Sequence, residues 1–288
     1  MIAFWLRLFF RLTAIAPRWV RTLKPVFVRL AWWFAPSIRR GTDANARRIF
    51  DDALDSRQRR HFSLAVIGYF YDFVFDVGRS LRATREELSA RIASVEGHDK
   101  YVAARSARSG AILLTAHMGS FELGIVALRQ MNERVHVVFR RDRIDGFERL
   151  RSAMHQRLGV VEAALDDTWT VWLRLRDALR ADEVVAIQGD RVMPGQNGVE
   201  MPFLRGHLLL PSGPVKLASA SGAPIIPVFT VRAPDGRVRI FVEDAINVPH
   251  PLDERAMDEA MRKIAHVLEK YVRAYPEQWL VLAPAFAQ

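Results

Sequence analysis

A chain of 288 residues, half of them hydrophobic, can bury a substantial core in one large domain or two small ones. It contains no cysteine, which excludes disulfides, thiolate nucleophiles and cysteine metal sites. Its 42 Lys and Arg against 32 Asp and Glu leave a formal charge of +10, so acidic partners are expected: a membrane surface, nucleic acid, a phosphorylated substrate or an acidic carrier protein.

Residues 1–38 are rich in Trp and Phe but broken by arginines, and no run of about 18 uncharged residues exists to span a bilayer. At about 100° per residue, Arg7, Arg11, Arg18, Arg21 and Arg29 share one stripe. Leu8, Leu12, Ile15, Trp19, Leu23, Val26, Phe27 and Leu30 share the other, and Pro17 and Pro25 are expected to kink the helix. This is the pattern of a basic helix lying in an anionic membrane surface; a solvated helix or a targeting peptide is the alternative. Residues 39–60 read as one or two charged helices, and residues 61–77 as an aromatic helix. Asp72 and Asp76 argue that this second helix packs in the protein or lines a groove.

Ala111 to Leu114 is a short apolar run after Gly110, read as a buried strand. His117 follows its end. Ser120 then stands where a helix N-cap belongs, with Phe121, Ile125 and Leu128 at helical spacing and Glu122 in the first turn. An imidazole with a carboxylate five residues on, across a turn, suits proton abstraction, because the acid can fix the tautomer and stabilise the imidazolium. N–H groups near Gly119 and Ser120 would favour an oxyanion or a phosphate. The same spacing also fits an ordinary capped helix with a polar turn.

Val135 to Phe139 reads as a strand ending in Arg140 and Arg141, whose guanidinium forks suit phosphate or carboxylate. A helix from Phe147 to Leu158, a short strand at Gly159 to Val161, and a helix from Trp169 to Leu179 come next. The strand Val184 to Gln188 ends in Gly189-Asp190-Arg191, an acid and a base where open α/β sheets place ligands. Leu208 to Pro214 is an apolar, proline-bounded segment and Val215 to Ser221 a small-residue helix. Pro224 to Val231 and Val238 to Val242 form a strand pair about Pro234-Asp235-Gly236, and Met257 to Tyr275 is a closing amphipathic helix. The alternation over residues 110–245 predicts an α/β fold with a mixed, mostly parallel sheet flanked by helices. Dinucleotide, P-loop, zincin and α/β-hydrolase motifs are missing from the sequence, and the eight histidines are too scattered to suggest a metal site.

Four segments in this order carry a resemblance: T-A-H-M-G-S-F-E-L-G, V-V-F-R-R, I-Q-G-D-R-V-M-P-G-Q-N-G-V-E-M-P-F-L-R-G and G-P-V-K-L-A-S-A-S-G-A-P-I-I-P-V-F. With Tyr275-Pro276-Glu277-Gln278-Trp279 near the end, the chain resembles the bacterial lipid A biosynthesis acyltransferases of the lauroyl/myristoyl type over residues 40–280. The resemblance implies a glycerolipid-acyltransferase-like fold, with residues 39–288 as the acyltransferase domain after the membrane-associating helix that the residue pattern of 1–38 predicts. It implies an acyl carrier protein as donor, a lipid acceptor, a place on the cytoplasmic face of the inner membrane, and no metal or cofactor. Carried onto this sequence, the family's H-x4-D/E dyad falls on His117 and Glu122, its strand-end arginine on Arg140 or Arg141, and its acid before the glycine turn on Asp190. The expected site thus comprises His117 and Glu122 as the catalytic pair, with Gly119, Ser120, Arg140, Arg141, Asp190 and Arg191 binding substrate. Two further readings are an acyltransferase of the same fold acting on another lipid or glycolipid, and a non-catalytic membrane-bound scaffold. Nucleic-acid binding is not expected, since the arginines sit among membrane-type aromatics and no binding motif appears.

Overall fold

The computed structural model describes residues 12–13, 15–80, 83–131, 133–141, 145–165, 169–192 and 198–287. Its centre is a seven-stranded sheet of β1 (Ile92–Glu96), β2 (Ala111–Thr115), β3 (Val135–Phe139), β4 (Val161–Ala164), β5 (Val184–Gln188), β8 (Ile225–Arg232) and β9 (Val238–Val242). The spatial order is β1-β9-β8-β2-β5-β3-β4, and every neighbouring pair is parallel except β8 with β9. This is the mixed, mostly parallel sheet expected from the sequence. The central strand β2 is buried in four of its five residues, as an apolar run covered on both faces should be.

The order of the strands decides which distant residues meet. β2 and β5 are neighbours in register, Ala111 against Val184 through Thr115 against Gln188, and β3 pairs with the other side of β5. Residues just beyond their C-terminal ends therefore share one edge of the sheet: His117 after β2, Asp190 and Arg191 after β5, Arg140 and Arg141 after β3.

Two features were not legible in the chain. β1 is an edge strand whose residues are all half-buried or exposed, so it carries no apolar run to announce it. Leu208 to Pro214 divides between β7 (Gly206–Pro211) and the next helix. β7 pairs antiparallel with β6 (Gly198–Phe203) in a separate hairpin, which sets Met201, Phe203, Leu208 and Leu210 into the main core with Met261 and Ile264.

The helices are α1 (Pro17–Phe34), α2 (Pro36–Ile49), α3 (Ser56–Ser80), α4 (Arg85–Ser89), α5 (His98–Arg105), α6 (Phe121–Gln130), α7 (Asp145–Leu158), α8 (Thr170–Arg180), α9 (Gly213–Ser221) and α10 (Glu254–Ala274). α10 buries Met261, Ile264, Leu268 and Val272, the face its spacing predicts. Pro25 lies inside α1 without ending it; the break comes at Ala35, and α2 starts at Pro36, inside the segment expected to end at residue 38. One side of α1 packs on α3: the Tyr71 hydroxyl donates to the Val20 carbonyl at 2.7 Å, and Lys24 pairs with Asp72 at 2.6 Å. The other side leaves Trp19 (72%), Trp33 (70%) and Phe34 (77%) in solvent together with Leu23, Val26, Phe27 and Leu30. Arg18, Arg21 and Arg29 are exposed as well. Arg7 and Arg11 of the expected stripe lie outside the described residues. Among the described residues, no helix is long and apolar enough to cross a membrane.

Candidate active site

The turn after β2 is held from both sides. Its His117 carbonyl accepts from Leu280 N–H at 2.6 Å, the Gly119 N–H donates to the Gln278 carbonyl at 3.1 Å, and Met118 bridges Trp279 as an antiparallel neighbour. Gly119 has φ +56°, and a Cβ there would stand 2.2 Å from the Thr230 carbonyl oxygen, so only glycine lets the turn lie this close to β8.

The imidazole of His117 meets Asp190. Its Nδ1 lies 2.7 Å from Asp190 Oδ1, and its backbone N–H donates to Oδ2 at 3.2 Å. The indole N–H of Trp279 donates to the same Oδ2 at 2.9 Å. Asp190 is 1% exposed. Burial works against its charge, but the His117 imidazole, the Trp279 N–H and the charge of Arg191 outweigh it and hold the carboxyl down at about 2. An ionised carboxylate only accepts, so it is Nδ1–H that donates to Asp190. Arg191 stands at the second ring nitrogen, its Nη2 3.4 Å from Nε2. The His117 side chain is 22% exposed, so Nε2 sits at the surface of the site with its partner buried behind it.

Glu122 is not the partner of His117 in this arrangement. It points from the first turn of α6 to the fully buried His155 of α7, with Oε2 3.4 Å from Nε2, an ion-pair distance without hydrogen-bond alignment. His155 Nδ1 lies 2.9 Å from Glu162 Oε1 on β4. Burial disfavours the imidazolium, but the two carboxylates outweigh it and raise the His155 pKa. The physical reason for the difference is the direction of α6. Residue 122 begins a helix that runs away from the turn, whereas residue 190 lies at the end of the adjacent parallel strand.

The substrate-binding residues expected on the same turn divide similarly. The Gly119 N–H is spent on Gln278. Ser120 stands at the N-cap but makes no side-chain cap; its hydroxyl donates to Asp76 Oδ2 at 2.6 Å and it is 1% exposed. Asp76, on α3, also receives Arg91 at 2.5 Å and the guanidinium of Arg232 from the end of β8. This explains the acid in the aromatic helix: it organises a buried cluster under the turn. The backbone of Arg232 in turn exchanges two hydrogen bonds with the Gln278 side-chain amide, at 2.7 and 2.9 Å. Arg140 and Arg141 lie along the same sheet edge, half-buried and exposed. The guanidinium that reaches the His117 ring is that of Arg191. Among the described residues no group of three His, Asp or Glu side chains could hold a metal ion.

An apolar cavity opens beside the turn, between α6 and the sheet. Thr115, Phe121, Ile125, Leu128, Val228 and Ile240 are among its walls. The Phe121 ring stands edge-on to the His117 ring with centroids 6.3 Å apart, so the near end of the cavity borders His117.

A family model described as bacterial lipid A biosynthesis acyltransferase matches residues 1–288, the whole chain. The chain belongs to that family. No curated protein sequence matches it. For a lipid A biosynthesis acyltransferase the arrangement is apt: an imidazole fixed by a buried acid, a guanidinium at its second nitrogen, and an apolar cavity alongside. Sequence spacing singled out His117, Asp190 and Arg191 but not the pairing between the first two, and it assigned no role to Trp279, Asp76 or His155. The signal for Trp279 was its place in the Tyr275-to-Trp279 segment, which spacing alone could not connect to β2 or β5.

Proposed function

We propose that this lipid A biosynthesis acyltransferase moves a fatty acyl group from the thioester of an acyl carrier protein to a hydroxyl of a lipid A precursor, with His117 as general base. The observation that carries this reading is the 2.7 Å contact of His117 Nδ1 with buried Asp190, which leaves Nε2 as a proton acceptor at the surface of the site. Nε2 takes the acceptor's proton as its oxygen attacks the thioester carbonyl. Arg191, beside Nε2, is suited to the charge that develops on the carbonyl oxygen. Collapse of the tetrahedral intermediate expels the carrier's sulfur, which takes the proton back from the imidazolium, leaving an ester and a free thiol. The test is transfer of labelled acyl chains from an acyl carrier protein to a purified lipid A precursor by the full-length protein. Acylation that depends on the protein supports the reading, and failure with every carrier-bound chain length while a different donor is used would overturn it.

The apolar cavity beside Phe121 is suited to the acyl chain. Gly124 tests this, because a Cβ there meets only Thr230 Cγ2, at an ordinary 3.5 Å. In Gly124→Leu the new side chain enters the cavity from α6. We expect preference to shift toward shorter donors by about tenfold or more in relative kcat/KM, since each methylene in an apolar pocket is worth about 1–3 kcal/mol. Unchanged chain preference in a folded variant would remove the cavity from the reading.

The exposed apolar face of α1 with its flanking arginines supports a place on the cytoplasmic face of the inner membrane, held at an anionic surface rather than spanning it. Replacing Leu30 and Trp33 together by glutamate should weaken partition into anionic vesicles by about a hundredfold, because each buried large apolar side chain contributes roughly 1.5–3 kcal/mol. Co-sedimentation measures it, and equal partition of the variant and the parent would exclude this face.

A further inference from the structure

A second concentration of charge lies away from His117, in a pocket where α1, α2 and α3 meet. Five arginines line it, Arg39, Arg40 and Arg47 from α2 and Arg59 and Arg60 from α3, and one acid, Asp43. Asp43 is already engaged by Arg59 at 2.7 Å and by Arg47 at 3.1 Å, and Arg47 also reaches Asp52 at 3.2 Å. Arg39, Arg40 and Arg60 make no ion pair among the described residues. Two of them are instead held over the indole of Trp32, Arg60 at 4.7 Å and Arg39 at 5.2 Å from its ring centre. That indole lines the same pocket, and its Nε1 donor is buried with no acceptor among the described residues.

A buried indole N–H without an acceptor costs free energy unless a ligand supplies one. Guanidinium groups gathered without acids repel one another, and an aromatic plane that fixes two of them lowers the entropy lost when an anion arrives. The charged lining is five guanidinium groups against a single carboxylate that is already shared, with an indole N–H beside them. One carboxylate ligand would leave most of that charge unmatched, whereas a phosphate brings about −1.5 to −2 charges and three acceptor oxygens. The lining shares no residue with the His117 site, and Arg60 lies sixteen residues, about 24 Å along α3, from the Asp76 cluster beneath that site.

We propose that the pocket between α1, α2 and α3 is a binding site for a phosphate-bearing anion, gripped by Arg39, Arg60 and the Trp32 indole N–H. The chemistry is the same for a free phosphate compound and for the phosphate of an anionic lipid headgroup, and two arms of one experiment separate them. In the first, inorganic pyrophosphate is titrated into the full-length protein and followed by calorimetry. In the second, the protein is sedimented with phosphatidylcholine vesicles with and without phosphatidic acid.

Two variants read both arms: Arg39→Gln with Arg60→Gln, which removes the stacked charges, and Trp32→Phe, which keeps the ring but not the N–H. Binding of pyrophosphate that falls by about tenfold or more in each variant supports the site with a free anion as ligand. Extra binding to phosphatidic acid vesicles that is lost in the variants, while binding to phosphatidylcholine alone is kept, supports it with a lipid headgroup as ligand. If both variants match the parent in both arms, with unchanged melting temperatures, the site is overturned. It is also overturned if only an acidic carrier protein, and neither phosphate probe, discriminates parent from variants.

Discussion

Replacing His117 by alanine is expected to lower acyl transfer by about 10²–10⁴-fold, the range a positioned general base supplies. The effect should fall on kcat, because the imidazole acts on a proton that moves only in the transition state, and KM for donor and acceptor should change little. The fold should survive: the turn is held by its backbone, through Leu280 N–H to the His117 carbonyl and Gly119 N–H to Gln278, and neither contact uses the imidazole. Steady-state kinetics with a carrier-bound donor, alongside vesicle partition and a melting curve, measure all three. Full activity in a folded His117→Ala protein would remove the base from the mechanism.

Asp190→Asn is expected to be nearly as costly, up to about 10⁴-fold, because an amide can present its N–H to Nδ1 and trap the imidazole in the tautomer whose Nε2 is protonated and cannot accept. Glu122→Gln discriminates between the two carboxylates on the C-terminal side of His117. If Asp190 orients the base, Glu122→Gln acts through the His155 contact and affects stability more than the rate of the chemical step. If Glu122→Gln abolishes turnover while Asp190→Asn does not, the pairing with Asp190 has no catalytic meaning.

Trp279→Phe refines the same test, since it retains an aromatic ring against Phe203, 6.0 Å away between centres, but removes the N–H donated to Oδ2. Loss of a hydrogen bond to a charged group should cost about tenfold to a hundredfold in kcat, and the Asp190 carboxyl should titrate above its value of about 2. Acid stability changes in the same direction. A carboxyl whose folded pKa is depressed stabilises the fold fully above the ordinary aspartate value, and that contribution is lost as pH falls from there through about 2. In Trp279→Phe that contribution should be smaller and its loss complete at a higher pH.

Several elements were legible in the chain for simple reasons. β2 and β5 are unbroken apolar runs bounded by glycine, and a strand buried on both faces leaves no other pattern. α10 repeats its apolar positions with helical period over 21 residues, which few alternatives can imitate. His117, Asp190 and Arg191 stood out because each lies just past such a strand. β1 and the β6–β7 hairpin escaped because an edge strand and a small hairpin need only half their residues in contact with the core.

The sequence by itself determined the family, the α/β class and the candidate base, since strand-end residues and motif order are local properties that survive without coordinates. What only the tertiary structure decided is which acid lies against His117. Glu122 is the neighbour in sequence, but the axis of α6 carries it to His155. Asp190, seventy-three residues further on, is the neighbour in space because β2 and β5 lie side by side, and Trp279 closes on it from the far end of the chain. Strand order is set by how the whole sheet buries its surfaces, and no window of sequence contains that information.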